Sequence, residues 1–185
     1  PDVPNRKADT MIRENTLVST QWVEDNLDSP KVVLIEVDED TTAYDKGHIK
    51  GAIKLDWTTD LQDQVRRDFV NKKQFEELLS SRGVANDDTV VLYGGNNNWF
   101  AAWGAWVFDV YGVDNVKLLD GGRAKWEAEG RTLDSRASTP SAGNVTVQAA
   151  NKELRAFLPD VLAAAEKRSD VQLVDIRSPD EYNGK

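Results

Sequence analysis

Few residues of this chain could do covalent or acid–base chemistry. Among its 185 residues there is no cysteine, and His48 is the single histidine. The absence of cysteine excludes disulfides, thiolate metal sites and every mechanism that uses a cysteine of this chain as nucleophile. A lone histidine excludes a histidine-rich metal site and any triad that needs a second histidine. We therefore expect no metal and no cofactor, and carboxylates, cations, hydroxyls and backbone groups remain for chemistry.

A loop rich in glycine and asparagine is the other feature that suggests chemistry. Residues 94–98 read Gly-Gly-Asn-Asn-Asn, and the aromatic residues Trp99 and Phe100 follow them. Successive backbone N–H groups in such a loop, placed before a helix, can form a concave site for an anion. The loop lacks both the lysine of a P-loop and the glycine spacing of a dinucleotide fingerprint. An anion nest is therefore one interpretation of this loop.

Charge and hydropathy narrow the possible partners. The chain has 23 lysine and arginine residues against 32 aspartate and glutamate residues, which gives a formal charge of −9 and a pI near 4.7. A net acidic chain argues against nucleic-acid binding, which needs clustered cations. No apolar run approaches the roughly 20 residues of a membrane span, and the N-terminus lacks the apolar core of a signal peptide. We therefore expect no nucleic-acid partner, no membrane association and a cytoplasmic location.

Buried-type strands alternate with helical segments along most of the chain. Continuous β-branched runs predict strands covered on both faces, while capping residues and apolar residues at helical spacing predict helices between them. The predicted strands are 32–37, 89–93 and 116–119, and the predicted helices begin near Ser19, Asn71, Trp99 and Arg123. This alternation predicts an α/β domain with a central, mainly parallel sheet flanked by helices. We expect the domain to cover residues 16–132, after a loose arm at residues 1–15.

The last part of the chain repeats the beginning of this domain. Residues 133–151 are rich in Ser, Thr, Ala, Asn, Pro and Gly, a composition typical of a linker. Beyond them, Pro159 suits the first turn of a helix, and residues 171–176 have the pattern of another buried strand. Residues 152–185 therefore read as the start of a second domain. The alternative is that this tail packs on the first domain as an extra helix and edge strand.

Three separate motifs resemble segments of the rhodanese sulfurtransferases. Gly47–Ala52 (Gly-His-Ile-Lys-Gly-Ala) resembles the turn that follows a strand in that family, and Leu119–Arg123 with Trp126 is similar to its late Asp-Gly-Gly segment. Asp175–Tyr182 resembles the opening of the family's second domain. The likeness points in particular to tandem-domain thiosulfate sulfurtransferases of the bacterial type. It implies a rhodanese-like first domain and the beginning of a second such domain, cut off before its catalytic cysteine.

The resemblance implies a sulfurtransferase whose nucleophile is not in this chain. In the family, the second domain carries a cysteine at the start of a loop, after a strand that ends in tyrosine. The equivalent slot of the first domain follows Tyr93 and is occupied by Gly94, so that loop 94–98 would be the vestige of an active site. The intact protein would move sulfane sulfur from thiosulfate to cyanide or another thiophilic acceptor through a cysteine persulfide. This chain alone would be inactive.

Two alternatives remain open at this point. The chain could instead be a catalytically silent rhodanese-like module that binds a partner. The sulfur donor could also be 3-mercaptopyruvate rather than thiosulfate, because that choice depends on the loop around the missing cysteine. If the protein is an enzyme, the partners of this chain are the C-terminal half of the same protein, a small-molecule sulfur donor and a thiophilic acceptor.

Two aromatic residues have a role implied by the resemblance. Trp99 and Phe100 match positions that line the hydrophobic mouth between the two domains of the family. The alternative is that they begin the core stripe of the helix that follows, which continues through Trp103, Trp106, Val107 and Val110. Trp99 is expected to do both.

The remaining candidates are expected to be structural. His48 lies between Gly47 and Ile49 in the turn of the Gly47–Ala52 motif. We expect it to hold this turn by hydrogen bonds. Asp175 and Arg177 are two residues apart at a predicted strand end, so they face the same side. The resemblance implies that they are structural partners around the active site, and the alternative is an ordinary exposed pair. Glu181 departs from the arginine that several relatives place before the tyrosine, so other residues would have to capture the anionic substrate.

Overall fold

Parallel strands form the centre of the computed structural model, which describes residues 14–185. Residues 1–13, most of the segment whose composition predicts a loose arm, lie outside the described residues. The larger of the two units of the chain ends at Asn151, and the smaller unit begins at Lys152. In the described part of the chain, no helix combines the length and the apolar composition that crossing a bilayer requires.

The larger unit alternates strands and helices. In chain order it contains β1 (Leu17–Val18), α1 (Thr20–Asp25), β2 (Val32–Glu36), α2 (Ala43–Lys46), β3 (His48–Ile49), β4 (Ile53–Lys54), α3 (Lys72–Ser81), β5 (Thr89–Tyr93), α4 (Trp99–Val110), β6 (Val116–Leu119), α5 (Gly122–Ala128) and β7 (Leu133–Asp134). Strands β1, β6, β5, β2 and β4 lie side by side in this order, and every pair is parallel. Strands β3 and β7 form a separate antiparallel pair. The prediction of an α/β domain with a mainly parallel sheet is confirmed.

Helices cover both faces of the main sheet because its strands are apolar on both faces. Successive side chains of a strand point to opposite faces. Ile35 and Leu92 lie in one hydrophobic core, together with residues of α3 and α4. Leu34 and Val91 lie in a second core, together with residues of α1 and α5. The ends of the strands are therefore where polar side chains can gather.

The N-termini of α1 and α3 are capped as the sequence predicts. The Ser19 hydroxyl accepts a hydrogen bond from the backbone N–H of Trp22 at 3.0 Å. Asn71 and Gln74 form a reciprocal capping box, in which each side chain accepts from the backbone N–H of the other residue. Such caps satisfy N–H groups that have no partner in the first helical turn. These two helix boundaries therefore follow from local sequence.

Helix α4 buries most of the core stripe that its sequence predicts, but not the first residue of that stripe. Val107 and Val110 are fully buried, and Trp103 and Trp106 are half-buried and pack against the same core. Trp99 is 57% exposed. Side chains of a helix tilt toward its N-terminus, so a large ring on the first residue extends past the helix end. The interpretation of Trp99 as part of the core stripe is therefore wrong.

Residues 133–151, whose composition predicts a linker, are packed along the larger unit. Residues 133 and 134 form β7, and we call residues 135–151 the strap. Val145 and Val147 are each 3% exposed and join the core that contains α3 and α4. The structure therefore assigns this segment to the first unit, with the division of the chain after it.

Backbone hydrogen bonds hold the strap in spite of its linker-like composition. The backbone N–H of Gly143 donates to the Ser80 carbonyl at 2.7 Å, and that of Gln148 donates to the Tyr111 carbonyl at 2.8 Å. The N–H of Val147 donates to the Glu76 carboxylate at 2.9 Å. The amino-acid composition of a segment describes its side chains only. The strap is held by hydrogen bonds of its main-chain groups and by a few buried apolar side chains. This is why the linker prediction differs from the structure.

Replacing Val147 by alanine is expected to lower the free energy of unfolding by about 1.5–3 kcal/mol, the contribution of a buried valine side chain. A free linker would give no change. The measurement is urea unfolding followed by tryptophan fluorescence. Thr146→Ala, on the adjacent exposed position, is the matched control and is expected to unfold like the unchanged chain. Equal midpoints for the two variants would contradict a packed strap.

The smaller unit contains a 3₁₀ turn at Lys152–Leu154, helix α6 (Leu158–Ala165) and helix α7 (Pro179–Tyr182). The helix predicted near Pro159 is confirmed. The prediction of a strand at residues 171–176 is wrong, because these residues form none, and Val174 and Ile176 are 74% and 90% exposed. A strand takes its ladder hydrogen bonds from a neighbouring strand, and the described residues 152–185 contain no other strand. That this unit begins a second domain stays a prediction.

Candidate functional site

Polar residues converge where three neighbouring parallel strands end. Strand β2 ends at Glu36, strand β5 ends at Tyr93, and Arg123 follows β6 in the first turn of α5. Glu36 and Tyr93 are direct neighbours in the register of β2 and β5. The carboxyl ends of parallel strands lie at one edge of an open α/β sheet, where such sheets bind ligands. Loop 94–98 leaves the sheet at this edge and is the candidate site.

The loop has a fixed, left-handed conformation. Asn96, Asn97 and Asn98 have φ values of 45°, 56° and 62°, a region that asparagine tolerates better than most residues with a side chain. The Asn98 side chain accepts a hydrogen bond from the N–H of Gly94 at 3.0 Å and donates one to the Leu119 carbonyl at 2.7 Å. One asparagine therefore ties the start of the loop to the end of β6.

The N–H groups at the start of the loop are already engaged by the protein. The N–H of Gly94 bonds to Asn98, and the N–H of Gly95 donates to the Asp38 carboxylate at 2.6 Å. Farther along, the side-chain amide of Asn96 donates to Glu39 at 2.7 Å. An external anion would have to displace these oxygen atoms. The loop therefore has the donors of an anion nest, but side-chain oxygen atoms of the protein already occupy them.

The position of Gly94 has no room for a side chain. Gly94 is buried, and a Cβ atom built on it would lie 2.3 Å from the Val37 carbonyl oxygen and 3.3 Å from Cα of Asp38. The obstructing atoms belong to backbone, so a rotamer change cannot relieve the contact. The backbone of this slot, as it stands, cannot carry a cysteine.

A buried hydrogen-bonded group lies beside the loop. The Tyr93 hydroxyl donates to one Glu36 carboxylate oxygen at 2.5 Å, and Arg123 Nη2 donates to the other at 2.6 Å. The same Nη2 also donates to the Gly47 carbonyl at 2.6 Å, and the Tyr93 hydroxyl accepts from the N–H of Ile49 at 3.0 Å. The side chains of Glu36 and Arg123 are 1% and 13% exposed. This group joins β2, β5 and α5 to the turn that begins at Gly47.

Burial and pairing set the protonation states within this group. Burial raises the pKa of the Glu36 carboxyl above its ordinary value, and the hydrogen bonds from Tyr93 and Arg123 offset only part of that effect. Burial and the neighbouring Glu36 raise the pKa of the Tyr93 hydroxyl well above its ordinary value. Burial lowers the pKa of Arg123, but the hydrogen bond and charge of Glu36, together with Tyr93 and Glu127, outweigh this effect and leave the pKa raised. Tyr93 is therefore a neutral donor and Arg123 a permanent cation, an arrangement suited to structure.

His48 is fully buried between the turn and the strap. Its Nδ1 lies 2.9 Å from the Tyr44 carbonyl oxygen, and its Nε2 lies 3.0 Å from the Arg136 carbonyl oxygen. The imidazole also stacks on the Tyr44 ring, with centroids 3.7 Å apart. Both ring nitrogens therefore contact backbone, and the ring has no exposed face for a substrate. These contacts favour the structural role that the sequence predicts.

Replacing His48 by alanine is expected to lower the free energy of unfolding by about 2–4 kcal/mol, because a buried ring is removed together with the hydrogen bond that its N–H donates to a backbone carbonyl. Chemical denaturation measures this loss. Lys50→Ala, in the same turn but exposed, is the matched control and should cost less than about 1 kcal/mol. A His48 variant as stable as the Lys50 variant would show that the ring does not hold the turn.

Aromatic side chains form a partly exposed surface beside the loop. We call Trp57, Trp99, Phe100 and Trp103 the aromatic patch. Phe100 lies at its centre. The centroid of its ring is 4.4 Å from that of Trp57, 5.3 Å from that of Trp99 and 6.2 Å from that of Trp103. Trp99 extends from it with 57% of its surface exposed. The structure thus brings the two predicted rim residues together at the candidate site.

Asp175 and Arg177 lie in the smaller unit, where they contact each other. Arg177 Nη2 and Asp175 form an ion pair at 2.6 Å between exposed residues. Glu181, the residue that departs from the family pattern, caps helix α7, where its carboxylate accepts from the Ser178 N–H at 3.0 Å and the Ser178 hydroxyl accepts from the Glu181 N–H. In this structure Glu181 therefore stabilises a helix N-terminus.

Sequence reasoning left three residues of the site without a role. Asp38 bonds the loop, Arg123 bonds Glu36, and Trp57 completes the aromatic patch. The first two could have been found from the predicted topology, because both follow strands that end at the edge where loop 94–98 begins. Trp57 follows β4 with no periodic signal, so only the fold places it.

Known proteins resemble this chain at the level of both sequence and fold. The family model described as Rhodanese-like domain matches residues 19–129. A protein of Mycolicibacterium smegmatis with the provisional name thiosulfate sulfurtransferase is 57% identical over 175 residues, which cover 95% of this chain and 62% of that protein. The sulfur carrier protein TtuD of Thermus thermophilus is 46% identical over 170 residues, covering 91% of this chain and 60% of that protein. The chain thus spans about three fifths of the length of these curated relatives.

A solved structure gives independent support for the fold. SseA from Escherichia coli, described with the 3-mercaptopyruvate sulfotransferases, superposes with a TM-score of 0.79, covering 91% of this chain and 68% of that chain. The two sequences are 23% identical. At this identity the likeness concerns the fold alone.

Proposed function

Since the chain belongs to the rhodanese-like domain family, we propose that it forms the non-catalytic part of a thiosulfate sulfurtransferase. The family match covers residues 19–129, and the relatives at 57% identity bear provisional sulfurtransferase names. Those relatives are longer than this chain, which covers 62% of one of them. The remaining part of such a protein would carry the nucleophile.

Gly94 is the observation that carries this proposal. It follows the tyrosine that ends β5, in the slot where the family's catalytic domain has its cysteine, and the chain has no cysteine anywhere. The slot is also closed by the Val37 carbonyl oxygen. Both features support a domain that has kept the fold of a sulfurtransferase without its chemistry.

The reaction proposed for the whole protein passes through a persulfide. A cysteine thiolate attacks the outer sulfur of thiosulfate, the S–S bond breaks, and sulfite leaves with the bonding electron pair. Cyanide or a thiolate then attacks the outer sulfur of the persulfide and regenerates the cysteine thiolate. No external oxidant or reductant is needed. Because such a cysteine must stay reduced, we place the reaction in the cytoplasm, which cell fractionation would test.

This chain would contribute a wall of the active-site mouth. The aromatic patch adjoins the vestigial loop, and its exposed Trp99 offers an apolar surface to a neighbouring domain. The proposed occupant is the C-terminal half of the same protein. The expected small-molecule partners are then a sulfur donor and a thiophilic acceptor, which the catalytic half would bind.

The test compares this chain with the full-length product of its gene. Each purified protein is incubated with thiosulfate and cyanide, and the thiocyanate formed is measured. We expect turnover by the full-length product and none by this chain. Using 3-mercaptopyruvate in place of thiosulfate then ranks the two donors. Turnover by this chain would contradict its non-catalytic role, and a full-length product inactive with both donors would contradict the sulfurtransferase assignment.

A silent binding module is the second candidate function. The exposed tryptophan of the aromatic patch favours it, because large exposed aromatic side chains mark interaction surfaces. The two candidates differ in the gene product itself. A cysteine-bearing loop after the end of this chain supports the enzyme, and a gene product without such a cysteine supports the module.

A further inference from the structure

We propose that Asp38 acts as a built-in anion, whose carboxylate occupies a small-anion site made by loop 94–98 and Arg123. Asp38 Oδ2 accepts the N–H of Gly95 at 2.6 Å and lies 3.6 Å from Arg123 Nε. Asp38 Oδ1 accepts the N–H of Asp40 at 3.0 Å. The side chain of Asp38 is 8% exposed. Two N–H donors and a guanidinium thus surround one buried carboxylate, as they would surround a bound anion.

The register of the sheet explains why Asp38 reaches this place. Glu36 pairs with Tyr93 in adjacent parallel strands, so residues two positions farther along, Asp38 and Gly95, are also neighbours. Glu36 and Asp38 lie on the same side of the extended chain, which is the side of Arg123. The carboxylate is therefore placed by backbone geometry, and side-chain flexibility is not needed to bring it there.

Gly95 supplies the space for this close approach. A Cβ atom on residue 95 would lie 2.8 Å from Asp38 Oδ2 and 3.1 Å from Asp38 Oδ1. Any side chain at this position would push the carboxylate off the N–H group. The absence of a side chain at residue 95 therefore allows an anion to reach the N–H group, and in this structure that anion is the Asp38 carboxylate.

Arg123 gives an independent indication that the site is made for an anion. Within residues 14–185, its Nε is the buried side-chain nitrogen or oxygen atom that has no hydrogen-bond partner. This N–H group faces the Asp38 carboxylate from a distance too long for a hydrogen bond. A free anion, not tethered to the chain at residue 38, could move the short distance that brings it within reach of both Gly95 and Arg123. The site therefore contains one hydrogen-bond donor, the Nε–H of Arg123, that a free anion could use and that Asp38 does not.

The proposal predicts the chemical class of ligand that the site takes. Removal of the Asp38 carboxylate leaves two backbone donors and an unpaired N–H of a cation, in a space the size of one carboxylate. A small monovalent carboxylate such as formate fits these groups. In the unchanged protein Asp38 keeps free anions out, so this inference concerns binding in the first domain and stands apart from the proposed sulfur transfer.

The experiment is chemical rescue of Asp38→Ala by sodium formate, with sodium chloride at equal ionic strength as reference. In chloride, Asp38→Ala is expected to melt roughly 5 °C below the unchanged chain. Formate should restore at least half of this loss and should saturate with concentration, because it binds only the folded variant. Asp40→Ala removes the same charge from an exposed neighbour and is expected to show no saturable effect.

A second variant keeps the test decisive where Asp38→Ala does not fold. Asp38→Asn fills the same space with a neutral amide, which can still accept the Gly95 N–H, so it should fold and should not respond to formate. Formate that stabilises the unchanged chain, Asp38→Asn or Asp40→Ala as much as Asp38→Ala would overturn the proposal. An Asp38→Ala variant that folds and ignores formate would also overturn it.

Discussion

Replacing Gly94 by cysteine is expected to give a protein that is less stable by about 3 kcal/mol or more and that still forms no thiocyanate. The change supplies the missing thiol at the matching slot, yet its Cβ atom would lie 2.3 Å from the Val37 carbonyl oxygen. Relief requires β2 or the loop to move, because both sides of the contact are backbone. Urea unfolding measures the stability, and incubation with thiosulfate and cyanide measures the activity.

The surroundings of the slot oppose catalysis even in the fraction that folds. A thiolate is stabilised by N–H groups directed at it, and those of Gly94 and Gly95 already bond to Asn98 and Asp38. The Asp38 carboxylate also adds a negative charge beside the thiol, which disfavours the thiolate. A Gly94→Cys variant that forms thiocyanate faster than the unchanged chain would contradict this account.

Two variants separate the effect of the Cβ atom from the effect of the thiol. Gly94→Ala carries the Cβ alone and is expected to lose as much stability as Gly94→Cys. Gly104→Ala adds a Cβ in α4 whose nearest neighbour, Val37 Cγ2, lies at an ordinary 3.6 Å. It is expected to be unchanged or more stable by up to about 1 kcal/mol, because alanine favours a helix over glycine. Similar losses for Gly94→Ala and Gly104→Ala would show that the slot can relax.

The elements that carry local signals could be predicted from the sequence. The strand at residues 89–93 is a continuous run of strand-forming residues, three of them β-branched, and helix α3 begins at a reciprocal capping box. Strand and helix signals alternate, so the parallel sheet followed from connection rules. For the capped helix and the strand at residues 89–93, the deciding interactions lie within a few residues along the chain. The role of Gly94, in contrast, is implied by the resemblance to the family and not by any local signal.

The remainder depended on contacts between distant residues. The strap is held by main-chain hydrogen bonds to Ser80 and Tyr111, which no composition reports. The buried ion pair joins Glu36 to Arg123, residues that only the sheet order brings together. The strand predicted at 171–176 failed for the opposite reason, since an apolar run becomes a strand only beside a partner. Local pattern therefore predicts an element only where a packing partner is also present, and it says little about which distant residues form a site.

Arg123→Met is expected to lower the free energy of unfolding near neutral pH by about 3–5 kcal/mol, the usual cost of leaving a buried charge without its partner. Arg123 Nη2 is 2.6 Å from Glu36, whose side chain is 1% exposed, and its Nε faces Asp38. Methionine fills a similar volume, so the loss reports mainly on the charge. Urea unfolding of the variant and of the unchanged chain measures the difference.

The loss should depend on pH in a defined direction. Burial already raises the pKa of Glu36, and removing Arg123 takes away interactions that lower it, so the pKa rises further. A carboxyl group with a raised pKa in the folded state favours folding while it is protonated, and that contribution is lost as pH rises through the folded-state pKa. The deficit of Arg123→Met should therefore be smallest in acid and should grow toward neutral pH.

Arg131→Met is the matched control for burial of the guanidinium. The Arg131 side chain is 15% exposed, close to the 13% of Arg123, but its partners Glu24 and Glu129 are 46% and 35% exposed. Because solvent screens those partners, we expect a much smaller loss than for Arg123→Met. In the double variant Glu36→Gln, Arg123→Met, no charge remains at residue 36, and the amide oxygen can still accept from Tyr93. The double variant should therefore regain part of the free energy of unfolding that Arg123→Met loses. A double variant less stable than Arg123→Met would show that the uncompensated carboxylate is not the cause of the loss.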